Sequence, residues 1–269
     1  MMKSFAGAPL LDFYMELNKI SLSEDAVRFS KPAREVINAE QEQTMPLIKV
    51  YPPKVAAVDF FEVLHQVSGV IQKKRPDMSN ELAKIEAALP ADPTERELFA
   101  TQAFVPGINL LTNLKQDLPP DTFGLLLNHT VKLFMPRYAQ EIKNLRNFDQ
   151  WLQGKCPVCG GRPSFALLDK EEGKRYLYCG LCEVKWRFNR LICPFCLNNE
   201  SQFFTVKGME KYRVYFCDQC HGYIKTIDER RTGEADIDLF WEDIKTMQLD
   251  ILAINEGYYN QPVEQPATY

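Results

Sequence analysis

All eight cysteines of this 269-residue chain lie between positions 156 and 220, in four Cys-x-x-Cys pairs with none left over. The pairs are Cys156/Cys159, Cys179/Cys182, Cys193/Cys196 and Cys217/Cys220. A two-residue gap turns both sulfurs of a tight loop toward one point, as a tetrahedral metal ion requires. Two such knuckles make a closed four-sulfur cage, so the eight residues are expected to ligate two metal ions. Thiolates hold either zinc or iron in this way, and ligand spacing does not separate them. Sequential grouping is expected: Cys156, Cys159, Cys179 and Cys182 for one ion, and Cys193, Cys196, Cys217 and Cys220 for the other. A crossed grouping, first knuckle with third and second with fourth, stays open.

Metal is preferred over disulfides because the start of the chain does not read as a secretory signal. Lys3 comes early, and Pro9, Asp12 and Glu16 interrupt a short apolar stretch. Paired cysteines in a reducing compartment read as metal ligands, which makes the cytoplasm the expected location. No apolar run approaches the length of a membrane span. A net charge of -4 argues against a nucleic-acid binder driven by bulk electrostatics. Residues 151–230 are locally basic, with 13 Lys/Arg against 9 Asp/Glu. Two dications in eight thiolates would bring that region to about neutral. Lys155, Arg162, Lys185, Arg187 and Arg190 are expected to screen the sulfurs.

The chain is expected to be α+β: a mainly helical amino-terminal body, two tandem rubredoxin-like or zinc-ribbon units, and a carboxy-terminal helix. Residues 1–153 lack cysteine and read as six or seven helices. Asp92-Pro93-Thr94-Glu95 is a helix start with a capping Asp and a proline at the first helical position. Val58, Phe61, Val63, Leu64, Val67 and Val70 recur at helical spacing. Residues 121–152 read as one helix bent near Pro136, and residues 47–53 as an extended connector. Over 154–230, six β-type runs are expected at 164–168, 175–178, 184–188, 203–206, 212–216 and 223–227. Residues 170–173 and Lys207-Gly208 read as hairpin tips. The region repeats itself: Arg175-Tyr176-Leu177-Tyr178-Cys179 aligns with Arg213-Val214-Tyr215-Phe216-Cys217. Residues 231–269 are read as an amphipathic helix over 236–255, packing back on the helical body, with a frayed tail from 261 onward.

Four thiolates fill a tetrahedral ion, so hydrolysis at the metal is disfavoured and the sites read as structural. His65 and His129 read as ordinary packed or surface residues. His221, directly after Cys220, either tunes that cage from outside the ligand set or is merely exposed. Trp186 and Tyr223, at nearly equivalent repeat positions, read as core. There is no phosphate-cradling glycine loop, dinucleotide fingerprint or nucleophile elbow.

The sequence resembles the FdhE-type accessory proteins of formate dehydrogenase. The likeness rests on Cys156-Pro157-Val158-Cys159-Gly160, on residues 175–182 with Trp186 following, and on Cys193-Pro194-Phe195-Cys196. It continues through Cys217-Asp218-Gln219-Cys220 with Tyr223-Ile224-Lys225, and through residues 249–253 to Glu256-Gly257-Tyr258. The resemblance implies a cytoplasmic, non-enzymatic binding protein of the chaperone class. Its implied partner is the catalytic subunit of a respiratory formate dehydrogenase, whose maturation it assists before export. It also implies rubredoxin-like iron sites on the four knuckles and no catalytic residues. Two other functions are compatible with tandem ribbons: binding nucleic acid or the transcription machinery, and carrying electrons as rubredoxin does.

Overall fold

A computed structural model describes residues 8–29, 43–114, 117–233 and 236–260. The expected frayed tail lies outside them. The chain divides into two compact units, one spanning Pro9–Leu145 and the other holding the residues from Arg146 onward.

The first unit is helical. Its helices are α1 (Ala8–Leu17), a single turn α2 (Leu47–Val50), α3 (Ala57–Lys74), α4 (Ser79–Ala88), α5 (Pro93–Gln102) and α6 (Pro120–Ile142). The stretch expected to be an extended connector instead opens with α2, because Leu47, Ile48 and Val50 bury together. Only its end is extended, where β2 (Pro53–Lys54) pairs with β1 (Arg28–Phe29). The Asp92 start is realised: its Oδ1 accepts from the Thr94 and Glu95 amides at 2.9 and 3.1 Å. Such a cap satisfies amides that the first turn leaves free. The core of this unit is aromatic. Phe60 of α3 lies 6.1 Å from Phe134 of α6, nearly parallel, and edge-on to Phe61, Phe99 and Phe104. Val58, counted with the buried stripe of α3 by its spacing, is 70% exposed.

Helix α6 runs through Pro136 but ends at Ile142, short of the expected 152. Two 3-10 turns follow, at Lys143–Leu145 and Phe148–Gln150. Asn147 starts the second by accepting from the Asp149 amide at 3.0 Å, a local bond that competes with helix continuation.

His129 of α6 is buried against the rings of Phe13 and Tyr14 of α1, at 5.1 and 5.7 Å. Burial, with Lys132 nearby, lowers its pKa to about 4. The unfolded chain therefore binds a proton there at a higher pH than the folded chain does. Stability is complete above about pH 6.5 and falls as pH drops toward 4, by at most about 3 kcal/mol. Melting followed by circular dichroism between pH 7 and 4.5 should show that loss, and His129→Phe should flatten it.

The second unit is built on a six-stranded sheet. Its strands are β3 (Phe165–Leu168), β4 (Arg175–Tyr178), β5 (Lys185–Phe188), β6 (Gln202–Phe204), β7 (Tyr212–Cys217) and β8 (Gly222–Asp228), in the order β5-β4-β3-β8-β7-β6. Each expected run falls on one strand, with bounds shifted by a residue or two. Strands β3-β4-β5 form one antiparallel meander and β6-β7-β8 another. The two join through parallel pairing of β3 with β8, Phe165 opposite Lys225 and Leu168 opposite Asp228. Both tips turn on a glycine in the left-handed region, Gly173 (φ 67°) and Gly208 (φ 83°).

The carboxy-terminal segment departs from expectation twice. It forms two helices, α7 (Leu239–Lys245) and α8 (Met247–Asn255), broken at Thr246. The Thr246 hydroxyl donates to the Glu242 carbonyl at 2.7 Å, bonding back into the preceding turn. The segment's second departure is a core shared with the sheet of its own unit, where packing on the helical body was expected. Leu239, Leu249 and Ala253 share a core with Phe165, Tyr178, Tyr212, Tyr223 and Ile227. Polar ties explain this placement. Buried Lys225 of β8 reaches Asp243 at 2.8 Å and Asp250 at 2.6 Å, and Tyr223 also donates to Asp250 at 2.8 Å. The Tyr212 hydroxyl donates to the Glu242 carboxylate at 2.5 Å. Among the described residues, no helix is long and apolar enough to cross a membrane.

Candidate metal centres

The four knuckles share one local geometry. In the first, the Cys156 carbonyl accepts from Gly160 N at 2.9 Å and the Cys156 amide donates to Gly161 O at 2.8 Å. The Cys179 loop repeats this with Glu183 and Val184, and the Cys193 loop with Leu197 and Asn198. The residue after the second cysteine is left-handed in all four: Gly160 (φ 76°), Glu183 (φ 60°), Leu197 (φ 64°) and His221 (φ 54°). Only one is glycine. A side chain costs about 1–2 kcal/mol there, so three of the four knuckles hold a strained turn.

The fold brings the cysteines together sequentially. Cys156, Cys159, Cys179 and Cys182 form one cluster and Cys193, Cys196, Cys217 and Cys220 the other, with all sulfurs of a cluster within 4.8 Å of one another. Individual separations are 3.8 Å for Cys156–Cys182, 3.6 Å for Cys159–Cys179 and Cys179–Cys182, 3.7 Å for Cys193–Cys220 and 3.6 Å for Cys196–Cys217. A tetrahedral ion with metal–sulfur bonds near 2.3 Å sets its sulfurs about 3.8 Å apart. A disulfide needs about 2.05 Å. The donor sets therefore fit two tetrahedral ions, and none of the cysteines is cross-linked. Amides from the knuckles support the sulfurs: Gly161 N donates to Cys159 Sγ at 3.3 Å and Cys182 N to Cys179 Sγ at 3.5 Å.

The two clusters differ in exposure. All four residues of the first are buried, whereas Cys196 of the second is exposed and Cys220 half-buried. Burial pushes the Cys156 and Cys182 thiols well up, while the bonds Cys179 accepts from Cys156, Cys159 and Cys182 pull its own well down. One thiolate in such a pocket is tolerable and four are not, unless a cation shares the space. In the second cluster burial raises Cys193 to about 11.

Trp186 and Tyr223 serve packing, and His65 and His221 lie at the surface. Trp186 is fully buried and its Nε1 donates to Gln153 O at 2.7 Å. Tyr223 is buried at its repeat-equivalent place. His65 is half exposed, 3.8 Å from Glu86. The His221 carbonyl accepts from Tyr259 N at 2.7 Å, and its ring lies 6.0 Å from that of Tyr258. Gly154 and Gly222 were not singled out from the sequence. A Cβ on Gly154 would sit 2.0 Å from the Pro194 carbonyl oxygen, and one on Gly222 would sit 2.5 Å from the Phe195 ring. Both glycines let backbone close on the third knuckle. Their only signal was proximity to a knuckle.

Comparison with known proteins points the same way as the knuckles. A family model described as the FdhE central domain matches residues 155–190, which contain the whole first cluster. Residues 155–190 therefore resemble the FdhE central domain. An FdhE homologue from Aquifex aeolicus is 31% identical over 151 residues, covering 54% of this chain and 52% of the relative. One from Haemophilus ducreyi is 28% identical over 156 residues and covered to 50%. The chain thus spans about half the length of these relatives. A Klebsiella pneumoniae homologue is 25% identical over 264 residues, with 94% of this chain and 81% of the relative covered. The crystal structure of the FdhE protein from Pseudomonas aeruginosa shares the fold, with a TM-score of 0.55 over 93% of this chain and 83% of that one at 17% identity.

Proposed function

We propose that this protein is a cytoplasmic accessory factor that binds the catalytic subunit of a respiratory formate dehydrogenase and assists its maturation. FdhE-type proteins are accessory proteins of formate dehydrogenase, and the knuckle sequences and the FdhE homologues support that reading here. The observation that carries the non-enzymatic part is the closure of both cages. Four sulfurs 3.6–3.8 Å apart surround each centre, which leaves a tetrahedral ion no position for water or substrate. The eight cysteines, Cys156 through Cys220, are read as the metal ligands, with zinc or iron as the ion.

What the metals supply is rigidity. Each meander has three short strands, too little to build a core alone, and a bound ion would lock the knuckles at its ends. If iron is the resident metal, its oxidation state offers a second role as a redox sensor, limiting client binding to reducing conditions.

Affinity capture from anaerobically grown cells, with metal analysis of the purified protein, tests the reading. The expected result is co-purification of a formate dehydrogenase catalytic subunit and two metal ions per chain. Metal at two per chain without that subunit would leave a ribbon protein whose partner lies elsewhere. Iron in either oxidation state, or zinc in its place, giving equal client affinity would remove the sensor role and leave the scaffold.

A further inference from the structure

Beyond α8 the chain turns back to the second cluster. The turn is made at Gly257, which lies in the left-handed region at φ 86°. Gly257 N donates to the Ile254 carbonyl and Tyr258 N to the Ala253 carbonyl, both at 3.0 Å. A left-handed glycine with this bond pair satisfies the last carbonyls of a helix and sends the chain off in a new direction. Here it delivers Tyr258, Tyr259 and Asn260 to the fourth knuckle.

Tyr258 places its ring 4.8 Å from that of Phe216 and donates its hydroxyl to Asp218, inside the knuckle, at 2.7 Å. Tyr259 pairs in parallel with Gly222. Its amide donates to the His221 carbonyl at 2.7 Å, and its carbonyl accepts from Tyr223 N at 3.0 Å. Gly222 is paired with Cys217 of β7 on its other side, and β3 joins β8 only from Lys225 onward. Tyr259 thus fills the column of β3 ahead of that strand's first residue. Asn260 bridges the join, its Nδ2 donating to the Ser164 and Tyr223 carbonyls at 3.2 and 3.4 Å.

These contacts converge on the backbone that sets the second cage. Asp218 stands between the ligands Cys217 and Cys220, and His221 holds the left-handed turn at φ 54°. The Cβ position of Gly222 lies 2.5 Å from the Phe195 ring of the third knuckle and 3.1 Å from Cys220 Sγ. A shift of backbone at Gly222 therefore moves both knuckles of that cage. We propose that residues 258–260 are a strap whose local release, without unfolding of the sheet, is the route by which the second centre exchanges its metal. The inference rests on reading that cluster as a metal centre. The three are positioning residues, since none supplies a ligand. Groups that hold ligands in place from outside the ligand set govern retention of the ion. Tyr259 is 54% exposed, and an exposed edge of this kind opens at a lower free energy than the sheet it lies on. Direct attack on the exposed Cys196 is the competing route, and it would be indifferent to the strap.

The full chain loaded with zinc and challenged with EDTA and iodoacetamide tests this, with peptide mass spectrometry reading which cysteines are alkylated and how fast. In the parent, the second cluster should be alkylated before the first. Ending the chain after Gly257 should speed alkylation of the second cluster about tenfold or more. Ending it after Asn260 should not, and neither truncation should speed alkylation of the first cluster. Tyr258→Phe keeps the ring and loses only the bond to Asp218, so its acceleration should be smaller. If the shorter truncation disturbs melting of the sheet, Tyr258→Phe and Asn260→Ala should each still speed the second cluster alone. Parent rates in every strap variant would overturn the proposal and leave Cys196 as the point of attack. Equal acceleration on ending the chain after Asn260 would also overturn it, by placing the effect in residues 261–269. A parent with no zinc at the second cluster would instead sink the metal reading, and the strap's role with it.

Discussion

Replacing Cys156 by serine should reduce the bound metal from two ions per chain to one and unfold much of the first meander. Cys156 is completely buried, 3.8 Å from Cys182 across the cage. A hydroxyl is a poor substitute for a thiolate in a soft ligand set, and the remaining sulfurs would be left buried without their cation. Structural ions contribute on the order of 10 kcal/mol to the folding of small domains, so the loss should approach the whole stability of this unit. The counterpart Cys196→Ser should do less, because Cys196 is exposed and water can fill in for the missing sulfur. Metal analysis with melting curves of both variants gives the comparison. The helical transition of residues 9–145 should persist in each. Two metals per chain and unchanged melting in Cys156→Ser would show that this cluster is not a metal centre.

The second large effect is expected at Lys225. Its ammonium is 2% exposed and sits between the carboxylates of Asp243 and Asp250. Burial already raises the Asp250 carboxyl, against the pull of Lys225 and the Tyr223 hydroxyl. Lys225→Ala would leave two carboxylates facing an emptied space, a change that costs about 3–5 kcal/mol when one partner of a buried pair is removed. The loss should shrink as pH is lowered. Without its cation, folded Asp250 titrates higher still, so protonation on acidification relieves the penalty. Hydrogen exchange should locate the damage in α7 and α8, which Lys225 fastens to β8. A uniform loss across the sheet, independent of pH, would contradict this account.

The cysteines were the most legible part of the sequence, because a two-residue gap has few structural meanings and four such gaps have fewer. Strands were legible for a related reason. Runs such as Arg175–Tyr178 are short, aromatic and bounded by knuckles or glycine tips. Their partners were not. Alternation marks a strand but carries no information on its neighbour, so the parallel join of β3 to β8 could not be read. The closing helices misled by count. Ile251 and Ile254 belong to the apolar stripe over 236–255, yet both remain about half exposed. The ties that place the segment come from Tyr212, Tyr223 and Lys225, far away in sequence. Grouping of the knuckles was legible as an expectation, because the stretch between adjacent knuckles is long enough for one hairpin, and the clusters form sequentially as expected.

The sheet order has a mechanical consequence. Its two halves follow one another by a step in a constant direction: the first strand of one meander, β3, lies against the last strand of the other, β8. Nothing in such a series closes on itself, and each rim offers the complement of the opposite rim, as bricks in a course do. A third meander, or another molecule, could add by the same step. Brevity and charge stop the course. One rim, β6, is three residues long, and the other, β5, turns Lys185 and Arg187 outward. The 3-10 turn Phe148–Gln150 also packs against β5.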